Sequence, residues 1–500
     1  MTRRKAGTAA LGLLAALAAL AFLPASALAA EERPSEDAMF GAPAEAAAPA
    51  AKADEAAAAK KPEAQPAKAK LDENGRVTED SMFGDGPPPP LTTPDASKEI
   101  VPEDPLRIGG QFYTRAYTTM SAESDPERWG FSVPTLLDGY MDARPNDRVR
   151  GFMLARLAYD PMVPDTTGTS TATAPFGSAQ RLSLSLDQLW LRFDVARAVY
   201  VTVGRQHVKW GPSHFWNPTD FLHNVRRDPL DPFDARVGST LLKVHIPWEK
   251  LGWNLYAVGL FEDAIVNGTL SNIGGGLRAE VVLGPAEIGA EAIFQSGHRP
   301  RLGADVSTGL GPIDLYAEAS LRKGWEQPLF RFAQGTDPAM GRVLERYREN
   351  DYTVQASGGL SWSLSYMDIN VLTFGAEYFF NSVGCEDKTL YPYLLAANAF
   401  TPYYAGRHYL GLYGMLSTPA SYHNLNVVLS NVGNLSDRSF VARLDVSVIV
   451  LTHLRVEAYT AWHYGHQGGE FRFGLDAPAT PAVDLATPLA EFGLGLRVNI

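Results

Sequence analysis

Five hundred residues with a single cysteine, Cys385, exclude an intramolecular disulfide and any cysteine-based metal site. A net charge of −12 gives no basis for nucleic-acid binding. The 45 Gly, 35 Pro, 23 Phe, 20 Tyr and 9 Trp agree with a turn-rich, aromatic-bearing β architecture.

Arg3, Arg4 and Lys5 precede an apolar run over 11–23, followed by Pro24 and Ala27-Leu28-Ala29. A charged start, an apolar middle and an A-x-A site form the pattern of a secretory signal peptide. Residues 1–29 are therefore expected to be removed by cleavage after Ala29. The run is too short to span a bilayer comfortably, which disfavours a membrane anchor.

Residues 30–104 are rich in Ala, Pro, Lys and Glu and lack periodic apolar positions. Pro43, Pro49, Pro62 and Pro66 interrupt any Ala-rich helix, and Pro87 to Pro90 favour a stiff extended segment. The composition predicts a disordered periplasmic linker. Within it, Ser35-Glu36-Asp37-Ala38-Met39-Phe40-Gly41 recurs as Thr78-Glu79-Asp80-Ser81-Met82-Phe83-Gly84. Met39, Phe40, Met82 and Phe83 stand out as a candidate docking motif for a periplasmic protein. A duplicated segment without a partner is the plainer reading.

From residue 105 onward, apolar and polar residues alternate. Along 439–450, Phe440, Ala442, Leu444, Val446 and Val448 alternate with Arg443 and Asp445. Period two predicts strands with two unlike faces. Such segments are read at 107–119, 129–141, 148–159, 182–194, 198–206, 238–247, 251–262, 273–283, 286–296, 300–310, 312–322, 352–364, 366–381, 406–417, 421–433, 438–450, 452–464 and 489–500. An apolar face sustained over many strands, opposite a charged one, fits a transmembrane antiparallel β-barrel with lipid outside and a wet lumen. After a signal peptide, such a barrel points to the outer membrane of a Gram-negative bacterium.

The reading gives an all-β barrel over 105–500 of about 18 strands, with about 16 as the fallback. Tight turns fall at Ala196-Arg197, Trp248-Glu249-Lys250, Gly284-Pro285, Gly311, Ser365, Pro419-Ala420 and Leu451. An even strand count puts them all at the periplasmic end. Pro134 makes 129–141 the weakest strand. Leu182, Leu184 and Leu186 share one phase but Leu189, Leu191 and Phe193 the other, which predicts a β-bulge near Asp187-Gln188. The last strand sets Phe492, Leu494, Leu496, Val498 and Ile500 on one face. Its end resembles the C-terminal signal read by the barrel-assembly machinery, although it closes on Ile500 instead of an aromatic residue.

Residues 207–237 form the third long loop. Trp210, Trp216, Asp220, Arg226, Arg227, Asp228, Asp231 and Asp234 make it aromatic, charged and proline-punctuated. A purely solvated loop has no need of clustered aromatics, so this one is expected to fold into the lumen and narrow it. Gly204-Arg205-Gln206, then Trp210-Gly211, then Asn217-Pro218-Thr219-Asp220, resembles a pattern in alginate-export-type channels and related porin-like outer-membrane barrels. The motif covers under twenty residues and is silent about the solute. The resemblance implies a channel with no enzymatic step and no cofactor.

Arg115, Arg148, Arg150, Arg156, Arg192 and Lys243 take the inward phase on early strands, and Glu280, Glu287, Glu291, Asp314 and Glu318 on middle ones. If they line opposite walls, a transverse field crosses the lumen. The expected function is passive diffusion of a small polar or charged solute, with outer-membrane lipid as the surrounding partner. Two alternatives stand beside it. One is a structural barrel whose tail docks a periplasmic partner. The other is an outer-membrane lipid hydrolase, for which Ser213-His214 and His423 with Ser430 are the candidate pairs. His463 and His466 alone make a weak metal site.

Overall fold

A computed structural model describes residues 105–122, 129–163, 181–223, 225–231, 236–262, 265, 268, 273–335, 341–366, 370–417, 424–476 and 484–500. The signal peptide 1–29, the linker 30–104 with Met39, Phe40, Met82 and Phe83, residue Asp234, His423 and the Pro419-Ala420 turn lie outside the described residues.

Eighteen strands follow in chain order: β1 Leu106–Ser121, β2 Thr135–Asn146, β3 Val149–Tyr159, β4 Leu182–Val195, β5 Val199–Gln206, β6 Ser239–Trp248, β7 Trp253–Leu260, β8 Gly274–Leu283, β9 Ala286–Gln295, β10 Arg301–Leu310, β11 Ile313–Lys323, β12 Tyr352–Tyr366, β13 Asn370–Asn381, β14 His408–Ser417, β15 Leu425–Asn434, β16 Ser439–Leu451, β17 Leu454–Gly465 and β18 Pro488–Asn499. Each pairs antiparallel with its sequence neighbours, and β1 pairs with β18 from Gln111↔Asn499 onward. The sheet thus closes into a barrel and leaves no free edge among these strands.

Alternation explains the two faces. On β18, Leu494 and Leu496 point out and are exposed, while Arg497 between the outward positions is buried. On β4, Leu184, Leu189 and Leu191 are exposed outward. This face pattern is the inverse of a water-soluble sheet. The bulge falls at Asp187: Leu154 pairs with Gln188 and Ala155 with Leu186, so Asp187 is the extra residue and turns inward.

Eight short connections and both barrel termini share one end, and nine connections, most of them long, share the other. The Ala196-Arg197 turn places both residues at positive φ, 56° and 55°, the geometry of a type I′ hairpin. Aromatic side chains mark both edges of the outer face. Trp248 and Trp362 lie near the tight turns, and Tyr378 and Trp462 near the long loops.

The second strand departs from its expected span of 129–141. Pro134, which has no N–H, ends a short segment, Gly130–Ser132, and its carbonyl accepts the Arg115 N–H at 3.0 Å. The barrel strand begins at Thr135 and runs on to Asn146. Asp142 and Arg144, which read as turn residues, are carried inside it. The long loops also hold structure of their own. Leu329–Gln334 pairs with Arg342–Tyr347, and helix α1, Tyr391–Ala396, lies between β13 and β14.

Candidate functional site

The site is built where segment 207–238 meets the inner wall. Glu377, inward on β13, accepts the backbone N–H groups of His214 at 2.8 Å, Phe215 at 3.1 Å and Trp216 at 2.9 Å. Tyr316 on β11 donates its hydroxyl to the same carboxylate at 3.0 Å. Three consecutive N–H groups converging on one carboxylate form a charge-assisted anchor. Trp216 is fully buried, stacks on Phe379 at 5.5 Å and donates its indole N–H to the Tyr403 carbonyl at 2.9 Å.

A second anchor uses Glu318 of β11. Thr219 Oγ1 donates to Glu318 Oε2 at 2.7 Å. Gly211 sits over this pair at φ +87°, and a Cβ there would overlap both Glu318 Oε2 and Thr219 Oγ1. Glycine is therefore required for the backbone to approach. Trp210 packs with Val208, Phe221, Leu241, Val258 and Ile293, and the Arg278 guanidinium lies 5.7 Å from its ring centroid.

Part of the segment's charge is ion-paired. Asp220 contacts His223 Nδ1 at 2.8 Å and Arg236 Nη1 at 2.7 Å. Burial pushes its carboxyl up, but the His223 ring and the Arg236 guanidinium outweigh this and hold it well below the usual carboxylate range. Arg226 donates to Gln355 at 3.2 Å and lies over Tyr404, and Arg227 donates to the His214 carbonyl at 3.0 Å. Asp228 accepts the Leu230 N–H at 2.9 Å, and burial raises its carboxyl above the usual range. The charge of Asp231 acts on both Arg156 of β3 and Arg443 of β16.

The arginines of the early strands all lie on the inner wall or its rim. Arg115 is buried between the rings of Tyr117 and Tyr459. Arg148 sits at the tight-turn rim and pairs with Asp194 at 3.1 Å. Arg150 pairs with Asp142 at 2.9 Å, and Arg156 with Asp138 at 2.9 Å and Asp187 at 3.7 Å. Arg192 donates to Thr202 at 3.4 Å and lies 5.1 Å from the Trp190 ring centroid. The expectation of a basic wall facing an acidic one thus needs correction. Asp138, Asp142, Asp187 and Asp194 compensate the early arginines locally, and Arg278 compensates Glu280, Glu291 and Asp305 on the other side. Trp190 is a lumen residue, because the bulge at Asp187 reverses the phase beyond it.

Glu377, Gln355, Ser357 and Tyr404 carry the segment and were absent from the sequence reading. A lone carboxylate at an inward position of an otherwise uncharged strand, as in β13, is the signal available for Glu377. Of the hydrolase candidates, only Ser213-His214 lies wholly within the described residues, and it is not at the outer rim. Ser213 is fully buried and bonds Ser357 Oγ at 2.6 Å, and the His214 ring lies against Tyr316 and Tyr413. His463 Nδ1 bonds the Phe471 carbonyl at 2.7 Å, and no metal-binding cluster is found among the described residues.

At the long-loop end, Glu470 is buried with Tyr409, Asn434 and Asp437. Tyr409 donates to it at 2.5 Å and Asn434 at 2.8 Å, and its backbone N–H donates to Asp437 at 2.7 Å. Burial pushes the Glu470 carboxyl up to about 8, and the nearby Asp437 charge adds to the rise.

The fold defines a class: closed, eighteen-stranded antiparallel barrels with an apolar outer face. No protein-family model and no curated protein matches the chain. Among solved structures it is similar to OccAB1 of Acinetobacter baumannii, at 11% identity over 79% of this chain and 96% of that one, with a TM-score of 0.48. It is also similar to a BenF-like porin of Pseudomonas fluorescens Pf-5, at 11% identity over 79% and 98%, with a TM-score of 0.47. The outer membrane protein opdK of Pseudomonas aeruginosa matches at 9% identity over 79% and 98%, with a TM-score of 0.45.

Proposed function

We propose that the chain is an outer-membrane channel for passive diffusion of small polar or charged solutes, narrowed by segment 207–238. The observation that carries this reading is the triple N–H anchor on Glu377, which ties the segment to the middle of the inner wall. A barrel of eighteen strands encloses a water-filled space. A segment pinned inside it reduces the cross-section and sets a size limit. The tight turns then face the periplasm, together with the N-terminal linker, and the apolar band meets outer-membrane lipid. β18, which closes the barrel against β1, is the strand offered to the assembly machinery. The Gly204-Arg205-Gln206, Trp210-Gly211 and Asn217-Pro218-Thr219-Asp220 motif fits this reading. Within it, Thr219 bonds Glu318 and Gly211 leaves room for that contact, which supports a role in wall attachment. The reading involves no catalytic step.

Single-channel recording in planar bilayers tests it. The full chain is expected to conduct, and removal of 212–234 is expected to raise the conductance. Unchanged conductance after that deletion would place the segment outside the pore.

A further inference from the structure

Tyr140 of β2, Phe152 of β3 and Trp190 of β4 form one stack across three adjacent strands. Their ring centroids are 6.2 Å apart at 20° and 5.5 Å apart at 25°. All three take the inward phase, opposite the exposed Met141, Met153, Leu189 and Leu191. Each is half-buried. They stand nearer the tight turns than segment 207–238 does. Ring faces left on a wet wall keep apolar area in water, and on the lumen side they cannot serve as membrane anchors.

Polar groups frame the stack. The Arg150 and Arg192 guanidiniums lie 5.4 Å and 5.1 Å from the Trp190 ring centroid. Asp142 grips Arg150 through two bonds, at 2.9 and 3.1 Å. The wall therefore offers a row of rings beside the N–H donors of Arg150 and Arg192 and the carboxylate of Asp142. A neutral ring with C–H faces and peripheral hydroxyls would use the stack, the donors and the acceptors together.

We propose that Tyr140, Phe152 and Trp190, with Arg150, Arg192 and Asp142, form a binding site for a neutral carbohydrate in the lumen. The site deepens the channel reading and rests on it. Calorimetric titration of maltotriose into the detergent-solubilised full chain tests it, with sodium benzoate as the anionic comparison. Saturable sugar binding is expected. Trp190→Ala should weaken it about tenfold, through loss of a stacking face. Trp190→Phe, which keeps a ring, should bind within a few-fold of the wild type. Heat-modifiable migration on gels identifies folded variants. A wild type that takes up no maltotriose, a folded Trp190→Ala that binds as the wild type does, or binding of benzoate in place of sugar would each overturn the site. Calorimetry does not depend on ion flow, so the two readings fail separately. A protein that conducts without binding sugar sinks this site alone. One that binds sugar without conducting sinks the channel alone.

Discussion

Glu377 Oε1 accepts the Trp216 backbone N–H at 2.9 Å across 161 residues of chain, while Oε2 takes those of His214 and Phe215. One side chain of β13 thus fixes the segment that β5 and β6 deliver. Glu377→Ala leaves three buried N–H groups without an acceptor, at about 1–3 kcal/mol each. The segment should detach, with noisier and larger single-channel currents. Glu377→Gln keeps one carbonyl acceptor and should fall between the two. Quiet, wild-type currents from Glu377→Ala would remove the anchor from the account.

Gly211→Ala places a methyl group where Glu318 Oε2 and Thr219 Oγ1 already lie, at a φ of +87° that disfavours any side chain. Overpacking of this kind costs about 1–3 kcal/mol. The variant should form a heat-modifiable barrel, since the strand ladder is untouched, but show faster proteolysis within 207–238. Protease resistance equal to the wild type would contradict the close approach.

Arg148, Arg150 and Arg156 are each matched by Asp194, Asp142 and Asp138. Neutralising the three arginines leaves these carboxylates uncompensated and makes this wall negative. Reversal potentials in a salt gradient should shift toward cation selectivity. Adding Asp138→Asn and Asp142→Asn should largely reverse the shift. A shift that survives the added substitutions would show that long-range field, and not local pairing, governs selectivity.

Glu470 titrates near 8 in the folded state, above the ordinary 4.5. The folded state holds its proton more tightly, so the stabilising contribution is complete below about 4.5 and is lost as pH rises through 8. Hydrogen-exchange protection over 466–475, taken relative to the intrinsic exchange rate at each pH, should therefore fall between these values. Glu470→Gln, which cannot ionise, should flatten the profile. A flat wild-type profile would show that the buried cluster does not sense pH.

The barrel was legible because its signal is local. Two-residue alternation, the phase break at Leu186 and Leu189, and the seven tight turns that an even strand count keeps at one end require no knowledge of distant contacts. They led to eighteen strands, to the bulge at Asp187 and to a shared end for the short turns. The second strand was misplaced because Pro134 and the Asp142–Arg144 stretch carry turn chemistry. In the barrel, Asp142 is instead held by Arg144 and Arg150.

Sequence by itself determined which face of most strands is apolar, about how many strands there are and which segment between β5 and β6 is unlike a solvated loop. Only the tertiary structure decided what that segment touches and which charges remain to act on a solute. The physical reason is separation. A residue's face follows from its immediate neighbours through the pleat. Its partner across the lumen follows from closure of the whole sheet, which brings Glu377 to Trp216 and Glu318 to Thr219. Asp138 and Asp142 meet Arg156 and Arg150 through the register of the β2–β3 hairpin, which the misplaced second strand had hidden behind an apparent basic wall.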